Sequence, residues 1–297
     1  MMNIKIGLAL GGGGARGSYQ IGVLEAFRKQ GLLKQIKHIS GTSIGAINTM
    51  MVMSNFSYDK MIEVWEKVEN KDIYGHKFDR IKFDRQGLFS LQEVFEKLSK
   101  EVTLSEIRDS KIHGYATAAK IKKGGLIDQV LIHRMEKEVF YLNEFKDPLK
   151  AVLASASIPI LFGATPIDDA FYVDGGTIDN CPIQPLIDAG CNVILAIPID
   201  GTFKPKKFTD KSILLVNFET HYLFKLIPYD ILDFRTEDIR RKALYGIKIG
   251  NYMLEKLKEI GVLDTQLNWH VKDEHQYINI SKDEEKSIKE EVKKLWT

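Results

Sequence analysis

The chain has 297 residues, 44% of them hydrophobic and 28% charged, with a formal net charge of +2. That length and apolar share suffice for a packed α/β core, and the near balance of charge excludes the basic footprint of a nucleic-acid binder. Cys181 and Cys191 are the only cysteines, which excludes a disulfide scaffold and fits a reducing compartment.

The N-terminus runs from Met1-Met2-Asn3 straight into a strand-like segment with no apolar h-region, and no run of 18 apolar residues follows anywhere. The expectation is a cytoplasmic protein, peripheral at membranes if it meets them at all; non-classical export leaves no mark in a sequence. Ile4 to Leu10 reads as a strand, alternating at first and then continuously apolar, as where a strand enters a buried sheet. It stops at Gly11-Gly12-Gly13-Gly14-Ala15-Arg16-Gly17. From Ser18 the period changes to that of a helix (Tyr19, Val23, Phe27), which Gly31 ends.

A glycine loop between strand and helix brings backbone amides close to an anion: a nucleotide phosphate, the oxyanion of an acyl transfer, or a ligand carboxylate. Gly12-x-Gly14-x-x-Gly17 fits the dinucleotide fingerprint, yet the acidic residue needed about 20 positions on is missing, since the region offers Gln35, Lys37 and His38. A Walker loop would need a lysine before Ser18, where Gly17 stands. No nucleotide is expected. An oxyanion loop gains weight because acyl hydrolases place such glycines upstream of the nucleophile.

That nucleophile is Ser43. Gly41-Thr42-Ser43-Ile44-Gly45 lies between a short strand (Ile36 to Ser40) and a helical run from Ala46 to Met53. A sharp strand-to-helix turn lifts a serine off its backbone, glycines two before and two after remove colliding side chains, and the following helix aims its amides at the turn. The pattern alone also fits an ordinary glycine turn.

Helical period continues from Asn55 to Ser110, first through Met61, Val64, Trp65 and Val68, then through Leu91, Val94, Phe95 and Leu98. Between them Tyr74 to Leu88 mixes charge with aromatics (Phe78, Arg80, Lys82, Phe83, Arg85), as in a cap that meets a lipid surface or in a solvated connector. Ile112 to Ile121 and Leu126 to Ile132 read as a hairpin around Lys122-Lys123-Gly124-Gly125. A helix follows Pro148 (Leu149 to Ser157). Ala170 to Val173 is a short strand delivering Asp174-Gly175-Gly176. Asn180-Cys181-Pro182 opens a helix closed by Gly190, and Val193 to Ile197 is a buried strand.

Beyond Gly201 the chain turns basic (Lys204, Lys206, Lys207, Lys211) before a strand at Ile213 to Phe218. A helix over about Glu237 to Ile260 carries Gly246 and Gly250 on its apolar stripe, where they permit close packing. A charged helix with Ile288, Val292 and Leu295 on one face ends the chain. The whole predicts a three-layer α/β fold: a mostly parallel central sheet flanked by helices, with a helical insertion at about 55–110 and a strand-plus-helices segment over 200–297 packed on the core.

A serine nucleophile needs a base, and Asp174 is the candidate carboxylate. It ends a strand, two glycines leave it accessible, and partial desolvation would lift its pKa toward neutrality. Taken in order, Gly12-Gly13-Gly14-Ala15-Arg16-Gly17, Gly41-Thr42-Ser43-Ile44-Gly45-Ala46, Ala154-Ser155-x-Ser157-Ile158-Pro159 and Asp174-Gly175-Gly176 with Asn180-x-Pro182 resemble the patatin-like phospholipase family, over about Ile6 to Ile199. The resemblance implies a Ser-Asp dyad acting on lipid acyl esters at a membrane or micelle surface, without metal or cofactor. Carried across, Ser43 is the nucleophile and Asp174 the base, while Gly13, Gly14 and Arg16 form the oxyanion site. Gly12, Gly17, Gly41, Gly45, Gly175 and Gly176 support these motifs.

Two other readings compete. A Ser-Asp-His triad could draw on His221, His270 or His275. A lipid-binding protein could keep the fold without turnover. Metal hydrolysis is not expected, because none of the seven histidines is paired at i, i+4 and there is no Cys-x-x-Cys.

Overall fold

In the computed structural model, which describes residues 3–67, 96, 99–222 and 234–294, β1 (Ile6–Leu10) is buried along its whole length. It is followed by α1 (Gly17–Lys29), β2 (His38–Thr42), α2 (Ile44–Met53), α3 (Tyr58–Lys67), α4 (Leu104–Arg108), β3 (His113–Ile121), β4 (Glu136–Tyr141) and α5 (Pro148–Ser155). Then come β5 (Thr165–Ile167), β6 (Ala170–Asp174), α6 (Gln184–Asp188), β7 (Val193–Ile197), β8 (Leu214–Asn217), α7 (Thr236–Glu259), β9 (Gln276–Asn279) and α8 (Lys282–Lys294). Among the described residues the strands form one sheet in the order β5-β6-β3-β2-β1-β7-β8-β9, with β4 also on β3. The run from β3 through β2, β1, β7 and β8 to β9 is parallel; β4, β5 and β6 pair antiparallel.

Both faces of the centre are covered, which is why its strands are apolar without alternation. Leu8, Leu10, Val193, Leu195 and Ile197 enter the large core beneath α1, α2 and α7. Ala9, Ile194, Ala196 and Leu215 point the other way, against Ile183, Leu186 and both cysteines, which are free and buried. α7 lies on α1 at backbone distance. A Cβ on Gly246 would stand 2.1 Å from the Tyr19 carbonyl oxygen, and one on Gly22 would stand 1.9 Å from that of Ala243.

β3 sets up the site. A strand has two edges, and β4 covers one of them from Tyr115 to Lys120. The other edge is shared: β2 runs parallel along it as far as Thr42 opposite Thr117, and β6 comes antiparallel from the far end as far as Asp174 opposite Ala118. The two strands therefore finish nose to nose, and residues 43 and 174 meet there.

The structure corrects the hairpin. Leu126 to Ile132 is not a strand; it is an exposed loop, and the returning strand is β4, Glu136–Tyr141. An apolar run normally marks burial, but here Leu126, Ile127, Val130 and Ile132 face solvent. The Tyr74 to Leu88 segment and the helix expected around Leu91 to Leu98 rest on residues outside the described ones, as does Leu295. Within the described residues no helix is long and apolar enough to cross a membrane.

Candidate active site

Ser43 sits between β2 and α2 with φ 56° and ψ −124°, a conformation that non-glycine residues seldom adopt. Its neighbours explain how the turn closes. A Cβ on Gly45 would lie 2.1 Å from the Leu10 carbonyl oxygen, and one on Gly41 would lie 2.3 Å from that of Gly45, so neither position tolerates a side chain. Ser43 is nearly buried and its Oγ donates to Asp174 Oδ2 at 2.5 Å.

Asp174 ends β6, and its other oxygen, Oδ1, accepts the Gly176 amide at 2.7 Å. Burial pushes its carboxyl up from 3.8 to about 6, against the hydrogen bonds from Ser43 and Gly176, which favour the charged form. The group is thus a poised proton acceptor near neutral pH. A Cβ on Gly175 would collide with the Thr117 carbonyl oxygen at 2.1 Å, so this glycine lets the chain leave β6 against β3.

Two serines whose part could not be read from spacing bracket the pair. The Ser155 hydroxyl accepts the Ser43 amide at 2.9 Å and donates to Thr117 O at 2.6 Å. The Ser157 carbonyl accepts the Asp174 amide at 2.8 Å, and its hydroxyl bonds Thr165 Oγ1 at 2.7 Å. The last residue of α5, a helix capped by Asp147 with Pro148 in its first turn, thus holds the Ser43 backbone, and the turn just after it holds that of Asp174.

The glycine loop closes the third side. Gly12 comes so near Ser43 that a Cβ on it would be 3.0 Å from the serine's Cβ and 2.4 Å from Asn180 Oδ1. Asn180 clamps that glycine: its carbonyl accepts the Gly12 amide at 2.9 Å and its Nδ2 donates to Gly12 O at 3.1 Å. The Gly11 amide is bonded to Ile197 O. Among the described residues the amides of Gly13 and Gly14 have no acceptor. Arg16 is wholly buried and its Nη1 donates to Ile199 O at 3.2 Å, under the loop. Gly17 opens α1, where its carbonyl accepts from Asn48 Nδ2 at 3.0 Å; that asparagine also bonds Gln20, which holds Gly11 O.

No histidine among the described residues hydrogen-bonds Ser43 or Asp174. The His221 amide is held by Glu285, His270 Nε2 lies 3.6 Å from Asp264, and His275 precedes β9 with Nδ1 buried. Nor do the described residues hold a group of three or more His, Cys, Asp or Glu able to take a metal ion.

Comparison with known proteins bears on the family and the fold. The family described as "Patatin-like phospholipase" matches residues 8–187. The chain is 27% identical over 239 residues to "Probable lipid hydrolase 463L" of Invertebrate iridescent virus 6, covering 71% of this chain and 77% of the viral protein. It is 26% identical over 207 residues to "Lysophospholipase NTE1" of Saccharomyces cerevisiae, covering 65% of this chain but only 11% of that much longer protein. It spans 50% of an NTE family protein of Mycobacterium tuberculosis. Among solved structures, human GIVD cytosolic phospholipase A2 superposes with a TM-score of 0.52 at 10% identity, over 86% of this chain and 61% of that one, a likeness of fold. With the family matched across more than half its length, the chain belongs to the patatin-like phospholipases and so to the lipid ester hydrolases.

Proposed function

We propose that the protein cleaves carboxylic esters of lipids, in the manner of a phospholipase A or lysophospholipase, by a Ser43-Asp174 dyad. The observation that carries this reading is the 2.5 Å contact between Ser43 Oγ and a carboxylate lifted to about 6 by burial. Ser43 Oγ attacks the ester carbonyl while Asp174 takes its proton. The carbonyl oxygen becomes an oxyanion facing the amides of Gly13 and Gly14, with the Arg16 charge beneath the loop and the N-terminal end of α2 behind Ser43.

Collapse of the tetrahedral species breaks the ester C–O bond, Asp174 returns the proton to the leaving alcohol, and an acyl-serine remains. Water, deprotonated by the same carboxylate, then attacks the acyl carbon and releases the fatty acid and free Ser43. A single base serves both halves.

A fluorophosphonate probe tests this directly. The expected result is covalent labelling of the full chain that disappears in Ser43→Ala and persists when His221, His270 and His275 are all replaced. Labelling lost in the histidine variant would establish a triad instead, and unlabelled wild type would establish a binding protein.

A further inference from the structure

Among the described residues most of the exposed large aliphatic side chains are gathered on one surface: Leu126, Ile127, Val130 and Ile132 from the β3–β4 loop, and Ile160 from the segment after α5. Ile127 is 73% exposed and Ile132 56%. Surface aliphatics scattered singly need no explanation, whereas five together beside a catalytic pair do.

The patch is built, not frayed. Gln129, at the loop's centre, is 1% exposed. Its Nε2 donates to Gly124 O at 3.0 Å, closing the loop on itself, and its Oε1 accepts the Ile160 amide at 2.9 Å, fastening the loop to the neighbouring segment. So the one polar side chain in Leu126–Ile132 able to reach solvent as a neutral amide is turned inward, and the aliphatic ones are turned out. Gly124 lies against Phe171, where a Cβ would meet the ring at 2.8 Å.

Ile160 makes the same point through its backbone. It is β-branched yet has φ 67°, a region that glycine or asparagine fills at little cost and isoleucine does not. An exposed isoleucine is thus held in an unfavourable backbone conformation with its amide on a buried glutamine. Ile160 stands three residues past Ser157, whose carbonyl holds the Asp174 amide, and Phe171 stands three residues before Asp174. The apolar surface therefore adjoins the catalytic aspartate along both supporting segments.

The loop carries a net positive charge. Residues 122–134 carry Lys122, Lys123 and Arg134 against the single carboxylate of Asp128, and all three basic side chains are exposed. Exposed aliphatic side chains flanked in the chain by lysine and arginine complement a layer with anionic headgroups outside and hydrocarbon within.

We propose that this surface, Leu126-Ile127-Val130-Ile132 with Ile160 and the basic residues of the loop, docks the protein on an anionic lipid surface next to the site from which Ser43 takes its ester. Docking rests on the hydrolase reading for its purpose, but its geometry is independent of it. With the aliphatics dipped into the interface, an acyl ester moves from the layer to Ser43 along apolar surface, without crossing water.

The test is co-sedimentation of full-length Ser43→Ala protein, which leaves the lipid intact, with vesicles of phosphatidylcholine mixed with phosphatidylglycerol and with vesicles of phosphatidylcholine alone. Expected is binding that favours the mixed vesicles, weakened about tenfold or more when Leu126→Ser, Ile127→Ser and Val130→Ser are combined. Loss of the preference for mixed vesicles is expected in Lys122→Glu with Lys123→Glu. In a Ser43 background the triple serine variant should hydrolyse a soluble short-chain ester as wild type does, which shows that it is folded. An Ile127→Trp probe should shift its emission to the blue on the mixed vesicles.

Absent vesicle binding, or binding unchanged in the triple variant, overturns the proposal. So does a change of elution volume in the triple variant, which would assign the patch to a second copy of the chain. Failure of the hydrolase reading shows separately, as no short-chain ester turnover by wild type while vesicle binding stands.

Discussion

The amide of Ser43 donates to the hydroxyl of Ser155 at 2.9 Å, and that hydroxyl in turn donates a hydrogen bond to Thr117 O at 2.6 Å. One buried side chain thereby ties a strained serine to the strand beneath it, and Ser155→Ala severs both bonds. The orphaned amide and carbonyl should lower stability by about 1–3 kcal/mol, and the loosened turn should lower kcat roughly 10–100-fold with KM little changed. Steady-state kinetics on a soluble ester check the split; a rise in KM at unchanged kcat would contradict it.

Asp174 sets the pH dependence. On the dyad proposed above catalysis needs its ionised form, so kcat/KM should fall tenfold per pH unit below about 6 and level off above it. A pH-rate profile with a midpoint near 4 would show that burial does not tune this carboxyl.

Stability runs the opposite way. Because the folded-state pKa is raised, from 3.8 to about 6, the protonated form is favoured by folding; that contribution is complete below the unfolded value and is lost as pH rises through about 6. Asp174→Asn should therefore be inactive and more stable than wild type at pH 8, by up to about 3 kcal/mol, with the gain vanishing toward pH 4. Urea midpoints at the two pH values give the comparison.

The α1–α7 crossing predicts a substitution that helix propensity alone would misjudge. Alanine is the better helix former by about 1 kcal/mol, yet Gly246→Ala drives a methyl to 2.1 Å from Tyr19 O. Spreading the helices should destabilise by roughly 2–3 kcal/mol. Gly125→Ala, with nothing within 4 Å, is the control and should be neutral in the same denaturation experiment.

Glu285 is fully buried on α8, on the face shared by Ile288 and Val292. It accepts the amides of His221 at 2.7 Å and Tyr222 at 3.2 Å and the Tyr245 hydroxyl. Glu285→Ala leaves three donors without an acceptor and should cost about 3 kcal/mol, while Glu285→Gln, keeping one oxygen, should cost less. Thermal melts of the two variants test the order.

Much of this could be read in the residues because it depends on local constraint. Continuous apolar runs marked β1 and β7, glycines around Ser43 marked a turn without room for side chains, and Asp174-Gly175-Gly176 marked a carboxylate at a strand end. Gly246 and Gly250 on the apolar stripe of α7 pointed to a close helix contact, and α1 supplies it. What escaped depends on partners distant in the chain. The places of Ser155 and Ser157 follow from how α5 lies across β3 and β6. Glu285 falls in step with an apolar stripe but owes its burial to amides more than 60 residues away. Leu126 to Ile132 reads as a strand because hydrophobicity ordinarily tracks burial, which this loop does not obey, and Gln276–Asn279 gives no clear strand signal because β9 is a half-exposed edge strand with polar alternation.

The end-to-end meeting of β2 and β6 on β3 makes the proposed dyad a matter of registry. Four residue pairs, from Ala118 with Asp174 to Ile121 with Phe171, set the register of β6 on β3, and the Ser157 carbonyl holds its last amide. A slip by one position would turn the carboxylate to the opposite side of the sheet, and a slip by two would carry it a pleat's length from the hydroxyl, with the fold otherwise intact. Length changes in the connection before Thr165 should thus be silent or abolish turnover outright, with few graded intermediates.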